Sequence, residues 1–232
     1  MGKSLLKICG MLHPDNIKEV AALQPDFMGF IFFKGSKRYA AELTPETLNE
    51  LPESILRTGV FVNEEADVVL DLVRKYSLNA VQLHGGESPE YAEVLAQQIK
   101  PGQADFKIIK SFGIDASFDF QQLNKYEGKV DYFLFDTQTP DHGGSGKKFD
   151  WSLLEKYELN VPYFLSGGVG PESADTLNEI TDPRLFAIDI NSRFELEPGL
   201  KDTSKLIEFI KGLSGVKSLT APGNIVGKEK RY

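Results

Sequence analysis

Asp136 stands at the end of an apolar run. Val130 to Phe135 reads as a strand covered on both faces, and the acid follows it directly. A buried carboxylate is costly unless it is paired or put to work. Gly143, Gly144, Ser145 and Gly146 come soon after, with backbone able to bend round an anion or to move as a lid. A structural acid followed by a flexible surface loop explains the same residues, so the rest of the chain has to separate the two readings.

Other residues with chemical capacity also follow apolar segments. Cys9 ends the first one. A thiol with a pKa of roughly 8.5 needs only modest electrostatic help to become a thiolate base, and the alternative is a small buried hydrophobe. Arg38 carries a planar fork suited to a carboxylate, or is one more solvated charge in the run Lys34 to Arg38. His84 reads equally as a substrate contact or a hydrogen-bonded residue at a strand end. Gly167 and Gly168 follow one apolar segment, and Asp189, Asn191 and Ser192 follow the next. Backbone N–H groups there suit a phosphate, although a tight turn also uses paired glycines. His13 and His142 lie in loops and have weaker claims. Three histidines and one cysteine, so scattered, give no metal-ligand spacing, and no metal is expected.

Positioning these residues together requires a particular fold. Strands are expected over Leu5–Cys9, Phe27–Phe33, Leu56–Val62, Ala80–Leu83, Phe106–Ser111, Val130–Phe135, Pro162–Leu165 and Leu185–Ile188. Helices are expected between them: Pro14–Leu23, a Thr44-capped helix through Leu51, Glu64–Tyr76 capped by Asn63, Pro89–Gln98, Ala116–Tyr126, Trp151–Tyr157, Pro171–Ile180 and Thr203–Leu213. Strands alternating with helices imply a parallel sheet. Eight units in about 210 residues favour a closed (β/α)8 barrel, a TIM barrel, whose strand ends share one mouth. An open doubly wound sheet would more often carry G-x-G-x-x-G after its first strand, whereas this chain has Cys9-Gly10-Met11-Leu12-His13. Residues 1–214 are therefore expected to form one barrel domain, with 215–232 as a mobile or surface-packed extension.

Composition narrows the partners. The chain has 232 residues, 41% hydrophobic, and a formal net charge of −8, which argues against general binding to nucleic acid or a membrane surface. No run approaches the roughly 18 apolar residues of a membrane span. One cysteine cannot form an internal disulfide, and no leader precedes the first strand, so a reducing cytoplasm is the expected setting. The partner is expected to be a small phosphorylated molecule, with the protein a monomer or a homodimer.

At these residues the chain closely resembles the N-(5'-phosphoribosyl)anthranilate isomerase family, barrel enzymes of tryptophan biosynthesis. The resemblance runs from Lys7 to about Lys211. It is carried by Lys7-Ile8-Cys9-Gly10, GFIFFKGSKRY from Gly29 to Tyr39, GVFVN from Gly59 to Asn63, and VQLHG from Val81 to Gly85. Further along come Asp136-Thr137, GGSGKKFDW from Gly143 to Trp151, and LSGGVGPE from Leu165 to Glu172. It implies an Amadori rearrangement of an aminoaldose phosphate to an aminoketose phosphate, with Asp136 as general acid and Cys9 as general base. It assigns Arg38 to the anthranilate carboxylate, and needs no cofactor because the substrate's own amine forms the imine. His84, Gly144, Gly146, Gly167, Gly168, Asp189, Asn191 and Ser192 complete the expected substrate site. The roles require an Asp136 that favours its neutral form and a Cys9 helped by electropositive surroundings.

The eighth loop departs from the family's usual D-x-S-S-G-x-E, with Asn191 and Arg193 in place of serine and glycine. A left-handed arginine there would cost on the order of 1 kcal/mol. Leu12 stands where threonine is common. Two other readings are open: a related sugar-phosphate isomerase of histidine biosynthesis, which resembles a pair of aspartates where this chain has Cys9, and a barrel that binds a phosphorylated ligand without turning it over.

Overall fold

The structure is a computed structural model that describes residues 4–40, 42–138 and 149–213. Gly144, Gly146 and the extension expected at 215–232 lie outside the described residues. Strands β1 (Leu5–Ile8), β2 (Phe27–Ile31), β3 (Leu56–Phe61), β4 (Ala80–Leu83), β5 (Lys107–Ile114), β6 (Tyr132–Thr137), β7 (Tyr163–Leu165) and β8 (Leu185–Ile190) pair in chain order. All are parallel, and β8 returns to β1 to close the barrel.

Helices α1 (Pro14–Ala21), α2 (Pro45–Asn49), α3 (Ala66–Lys75) and α4 (Pro89–Ile99) follow the first four strands. α1, α3 and α4 each bury an apolar stripe, in α3 Val69, Leu70 and Val73, whereas the short α2 buries Leu48 alone. Proline occupies the first turn of α1, α2 and α4, where its missing N–H costs nothing. The helices expected after β5 and β6 are instead 3-10 segments, Phe120–Tyr126 and Trp151–Lys156, capped by Asp119 and Asp150. Aromatic packing decides the first of these: Phe118 and Phe120 meet edge to face, and Phe120 in turn packs on Phe135. After β7 come the 3-10 turn Pro171–Ser173 and α5 (Ala174–Asn178).

Asn63 does not cap α3, which starts from Glu65. It adopts a left-handed φ of 50° and its side-chain oxygen accepts from the Gly86 N–H at 2.7 Å, so it ties the third loop to the fourth. A second unexpected feature follows β8. The 3-10 turn Ser192–Phe194 leads into an antiparallel hairpin, β9 (Glu195–Glu197) with β10 (Leu200–Lys201), before α6 (Thr203–Gly212). Asn16 of α1 clasps this hairpin by donating to the Lys201 carbonyl at 3.0 Å and accepting its N–H at 2.7 Å.

Register and stagger sort the inward side chains into layers. The pairings Lys7↔Phe27, Gly29↔Thr58, Val60↔Gln82, Ser111↔Leu134 and Lys7↔Asp189 shift progressively round the closed sheet, so alternate strands share a height. The lower interior is largely apolar, with Phe27, Ala80, Ile109, Leu134, Phe164 and Ala187 in one buried cluster. Above it polar groups enter: Lys7 and Thr58, then Gln82 and Asp189. Cys9, Val60, Ser111 and Ser166 form a buried floor, and the partly exposed Ile31, His84, Asp136 and Asn191 form the rim above it. The stagger of the strands thus converts residues far apart in sequence into one polar mouth over an apolar plug.

Candidate active site

Asp136, second to last in β6, has its side chain 18% exposed at the rim. One carboxylate oxygen accepts the Thr137 N–H at 2.8 Å, and the other lies 3.7 Å from His84 Nε2. Burial pushes its pKa up to about 6; the Thr137 N–H pulls it down, Asp189 raises it and Lys7 lowers it. This carboxyl therefore carries a proton far more readily than an ordinary aspartate. His84 Nδ1 is 2.8 Å from Gln82 Nε2, and that contact leaves Nε2 as the ring nitrogen turned towards Asp136.

Cys9 follows β1 and is 4% exposed on the floor. Two buried lysines flank it. Lys7, one layer of side chains below, bonds Asp189 at 2.7 Å and acts on the cysteine by its charge. Lys201 approaches from the hairpin. The expected electropositive surroundings are present, yet they do not win: burial pushes the thiol up, Lys7 and Lys201 pull it down, Asp189 pushes it up, and the net effect is above an ordinary thiol. Lys7 itself stays charged, because Asp189 and Cys9 outweigh the burial that opposes its ammonium.

Arg38 lies beyond β2 and does not stand alone. Its Nε donates to Glu195 Oε1 at 2.8 Å, and its Nη2 donates to Oε2 of the same carboxylate. Asn191 accepts from Lys201 Nζ at 2.7 Å. Asp189 bonds Lys7 rather than standing open at the rim. Gly10, at φ +75°, lets Arg38 and Asn191 close over the first loop: a Cβ there would meet Arg38 Cδ and Asn191 Oδ1 at 2.6 Å each.

After β7, Gly167 and Gly168 both take left-handed φ, 80° and 73°. Ser192 opens the 3-10 turn of the eighth loop. Arg193 is not among the residues with positive φ, so the anticipated strain does not arise. It crosses to the seventh loop and pairs with Glu172 at 2.9 Å. A cavity of about 490 Å³ opens beside Asp136 and His84, walled by Phe112, Phe118 and Tyr126, with Ser111 on its floor. Among the described residues the buried Ser111 Oγ has no hydrogen-bond partner.

The mouth thus gathers Cys9, Arg38, His84, Asp136, Gly167, Gly168, Asn191 and Ser192, with Asp189 beneath them. Sequence reasoning missed Lys7, Lys201 and Glu195 as partners of these groups. Lys7 had a legible signal, since it alternates with Cys9 along β1 and so shares its inward face. Lys201 and Glu195 depend on the hairpin, which left no comparable pattern. Among the described residues no group of three or more His, Cys, Asp or Glu side chains converges as metal ligands would, and no helix is long and apolar enough to cross a membrane.

The chain is similar to known proteins over nearly its whole length. The family model for N-(5'phosphoribosyl)anthranilate (PRA) isomerase matches residues 6–212. An N-(5'-phosphoribosyl)anthranilate isomerase of Parabacteroides distasonis is 44% identical over 208 residues, covering 89% of this chain and 91% of its own. The crystal structure of phosphoribosyl anthranilate isomerase from Thermotoga maritima is 36% identical with a TM-score of 0.75, covering 90% and 98%. Another structure of the enzyme, in complex with reduced 1-(o-carboxyphenylamino)-1-deoxyribulose 5-phosphate, is 33% identical with a TM-score of 0.73, covering 90% and 97%. Eight closed parallel strands and these likenesses agree: the chain belongs to the N-(5'-phosphoribosyl)anthranilate isomerase family.

Proposed function

We propose that the protein converts N-(5-phosphoribosyl)anthranilate to 1-(2-carboxyphenylamino)-1-deoxyribulose 5-phosphate, an isomerisation of tryptophan biosynthesis, with Asp136 as general acid and Cys9 as general base. The observation that carries the reading is the place of Asp136 near the end of β6 on the rim, with 18% of its side chain exposed, where desolvation pushes its pKa up to about 6, as suits an acid that must hold a proton when substrate arrives. Asp136 gives that proton to the furanose ring oxygen. The C1'–O bond breaks as the anthranilate nitrogen supplies its electron pair, leaving an open-chain Schiff base. The Cys9 thiolate then removes the C2' proton, whose electron pair neutralises the iminium and yields an enolamine. Tautomerisation gives the ketone with no net redox change, so no cofactor is called for.

Arg38 takes the anthranilate carboxylate, and the phosphate lies over Gly167, Gly168, Asn191 and Ser192, where backbone N–H groups suit an anion. Gly144 and Gly146 are assigned to the same substrate by resemblance. A reducing cytoplasm suits an unpaired catalytic thiol. The test is conversion of freshly generated phosphoribosylanthranilate, followed by its fluorescence loss. Native protein should turn it over, and Cys9→Ala and Asp136→Asn should each lose roughly 10²-fold or more. Near-normal turnover in either variant removes the role given to that residue.

A further inference from the structure

We propose that Glu195 is the positioning residue for Arg38, holding one edge of its guanidinium so that the other edge faces the mouth for a substrate carboxylate; the inference rests on the reading above. A guanidinium has two edges able to take a carboxylate in a forked pair, the side edge with Nε and one terminal nitrogen, and the end edge with both terminal nitrogens. Glu195 takes the side edge, through Arg38 Nε and Nη2. Among the described residues nothing bonds Nη1, so the end edge remains available. The two side chains are 13% and 4% exposed, so the fork is fixed before a ligand arrives.

Charge points the same way. Glu195 is shared: its Oε1 also accepts from Lys201 Nζ at 2.6 Å, and Lys201 is fully buried. Two cations therefore surround one carboxylate. Burial holds Lys201 down at about 8, with Glu195 opposing that fall, so near neutrality it is mostly charged. The cluster keeps one net positive charge beside the mouth. Cys9 acts on both cations, and burial pushes its thiol up, towards the neutral form. A buried excess charge is expensive without a counter-ion, and one bound carboxylate supplies it.

A purely structural ion pair would need only one cation. The second, Lys201, also fixes the Asn191 side chain at 2.7 Å, so the hairpin anchors both the carboxylate end and the eighth loop. Gly10 leaves the space in which Arg38 and Asn191 meet.

The test is calorimetric binding of two inert ligands, reduced 1-(o-carboxyphenylamino)-1-deoxyribulose 5-phosphate and the same compound without its carboxyl group. Glu195→Gln should weaken the carboxylated ligand by about tenfold or more, because a neutral amide cannot hold the fork. The ligand without the carboxyl group should change by no more than about twofold, within the range of indirect effects. If Glu195 acts through Arg38, adding Glu195→Gln to Arg38→Ala should cost almost nothing further. Equal losses for the two ligands, or an undiminished Glu195→Gln effect on the Arg38→Ala background, would overturn the proposal. Should Glu195→Gln fail to fold, Glu195→Asp keeps the charge one methylene short and should show the same selectivity at smaller size. Turnover by the native protein separately decides the underlying reading. Native protein that does not tell the two ligands apart would end the carboxylate role of Arg38 and this inference with it.

Discussion

Lys7 Nζ lies 2.7 Å from Asp189 Oδ1 beneath Cys9, with the lysine fully buried and the acid 6% exposed. The pair is both a structural element and an electrostatic control on the thiol, because Lys7 lowers the Cys9 pKa and Asp189 raises it. Asp189→Asn leaves a buried ammonium with only a neutral partner, and should cost about 3–5 kcal/mol of stability. The same change should move the Cys9 titration down. Urea midpoints give the first effect and ultraviolet thiolate absorbance the second, read cleanly because the chain has one cysteine. A Cys9 titration that does not move in Asp189→Asn would show that the pair does not govern the thiol.

The proposed acid and base have reversed protonation preferences, and the pH profile should reveal it. The proposed mechanism needs Asp136 protonated and Cys9 ionised, yet burial pushes Asp136 up to about 6 and Cys9 above an ordinary thiol. The working state is a fixed minority of the singly protonated pair. It therefore accumulates as pH rises through about 6, stays level, and is lost only in the alkaline range. We expect kcat/KM to follow that bell. A profile that instead falls as pH rises through about 6 would mean Asp136 titrates alone and no thiolate is required.

Asp136 should trade stability for catalysis. Its folded pKa of about 6 exceeds the ordinary 3.8, so folding disfavours the ionised form. The penalty is fully present above about 6, shrinks as pH falls between those values, and is gone below about 4. Asp136→Asn should raise the unfolding free energy above pH 6 by on the order of 1–3 kcal/mol, nearer the lower end because the side chain meets solvent at the mouth. Turnover should fall at the same time. Denaturation curves of both proteins across this pH range give the answer, and a variant less stable at neutral pH would contradict the assigned burial penalty.

Local pattern made the barrel legible. Each strand is a short apolar run, and its inward positions follow from period-two alternation, which places Lys7 with Cys9 and His84 with Gln82. The strand ends then name the rim. What local pattern does not carry is partner choice across the mouth. Arg38 reads either as a fork for a carboxylate or as a solvated charge, with nothing to name Glu195 as its partner, and Asn63 reads as a cap until its oxygen is seen to accept the Gly86 N–H. The first 3-10 segment was hidden for a related reason: Phe120 packs on Phe135 of β6, a contact from outside the segment that overrides helix propensity.

Gly167 offers a test of how tightly the seventh loop and Asp136 are joined. Its φ of +80° disfavours any side chain, and a Cβ would lie 2.7 Å from both the backbone nitrogen and Oγ1 of Thr137 and 2.9 Å from Phe149 Cδ1. Thr137 is the residue whose N–H bonds Asp136, so a shift there moves the acid. Gly167→Ala should cost on the order of 2–3 kcal/mol, combining left-handed strain with overpacking, and should lower kcat as well. Gly128 is the matched control, with φ +75° and nothing within 4 Å of an added methyl group. Gly128→Ala should cost about 1 kcal/mol of strain alone and leave kcat unchanged. Equal stability losses in the two variants, with kcat intact in both, would show that the seventh loop yields to the methyl without disturbing Asp136.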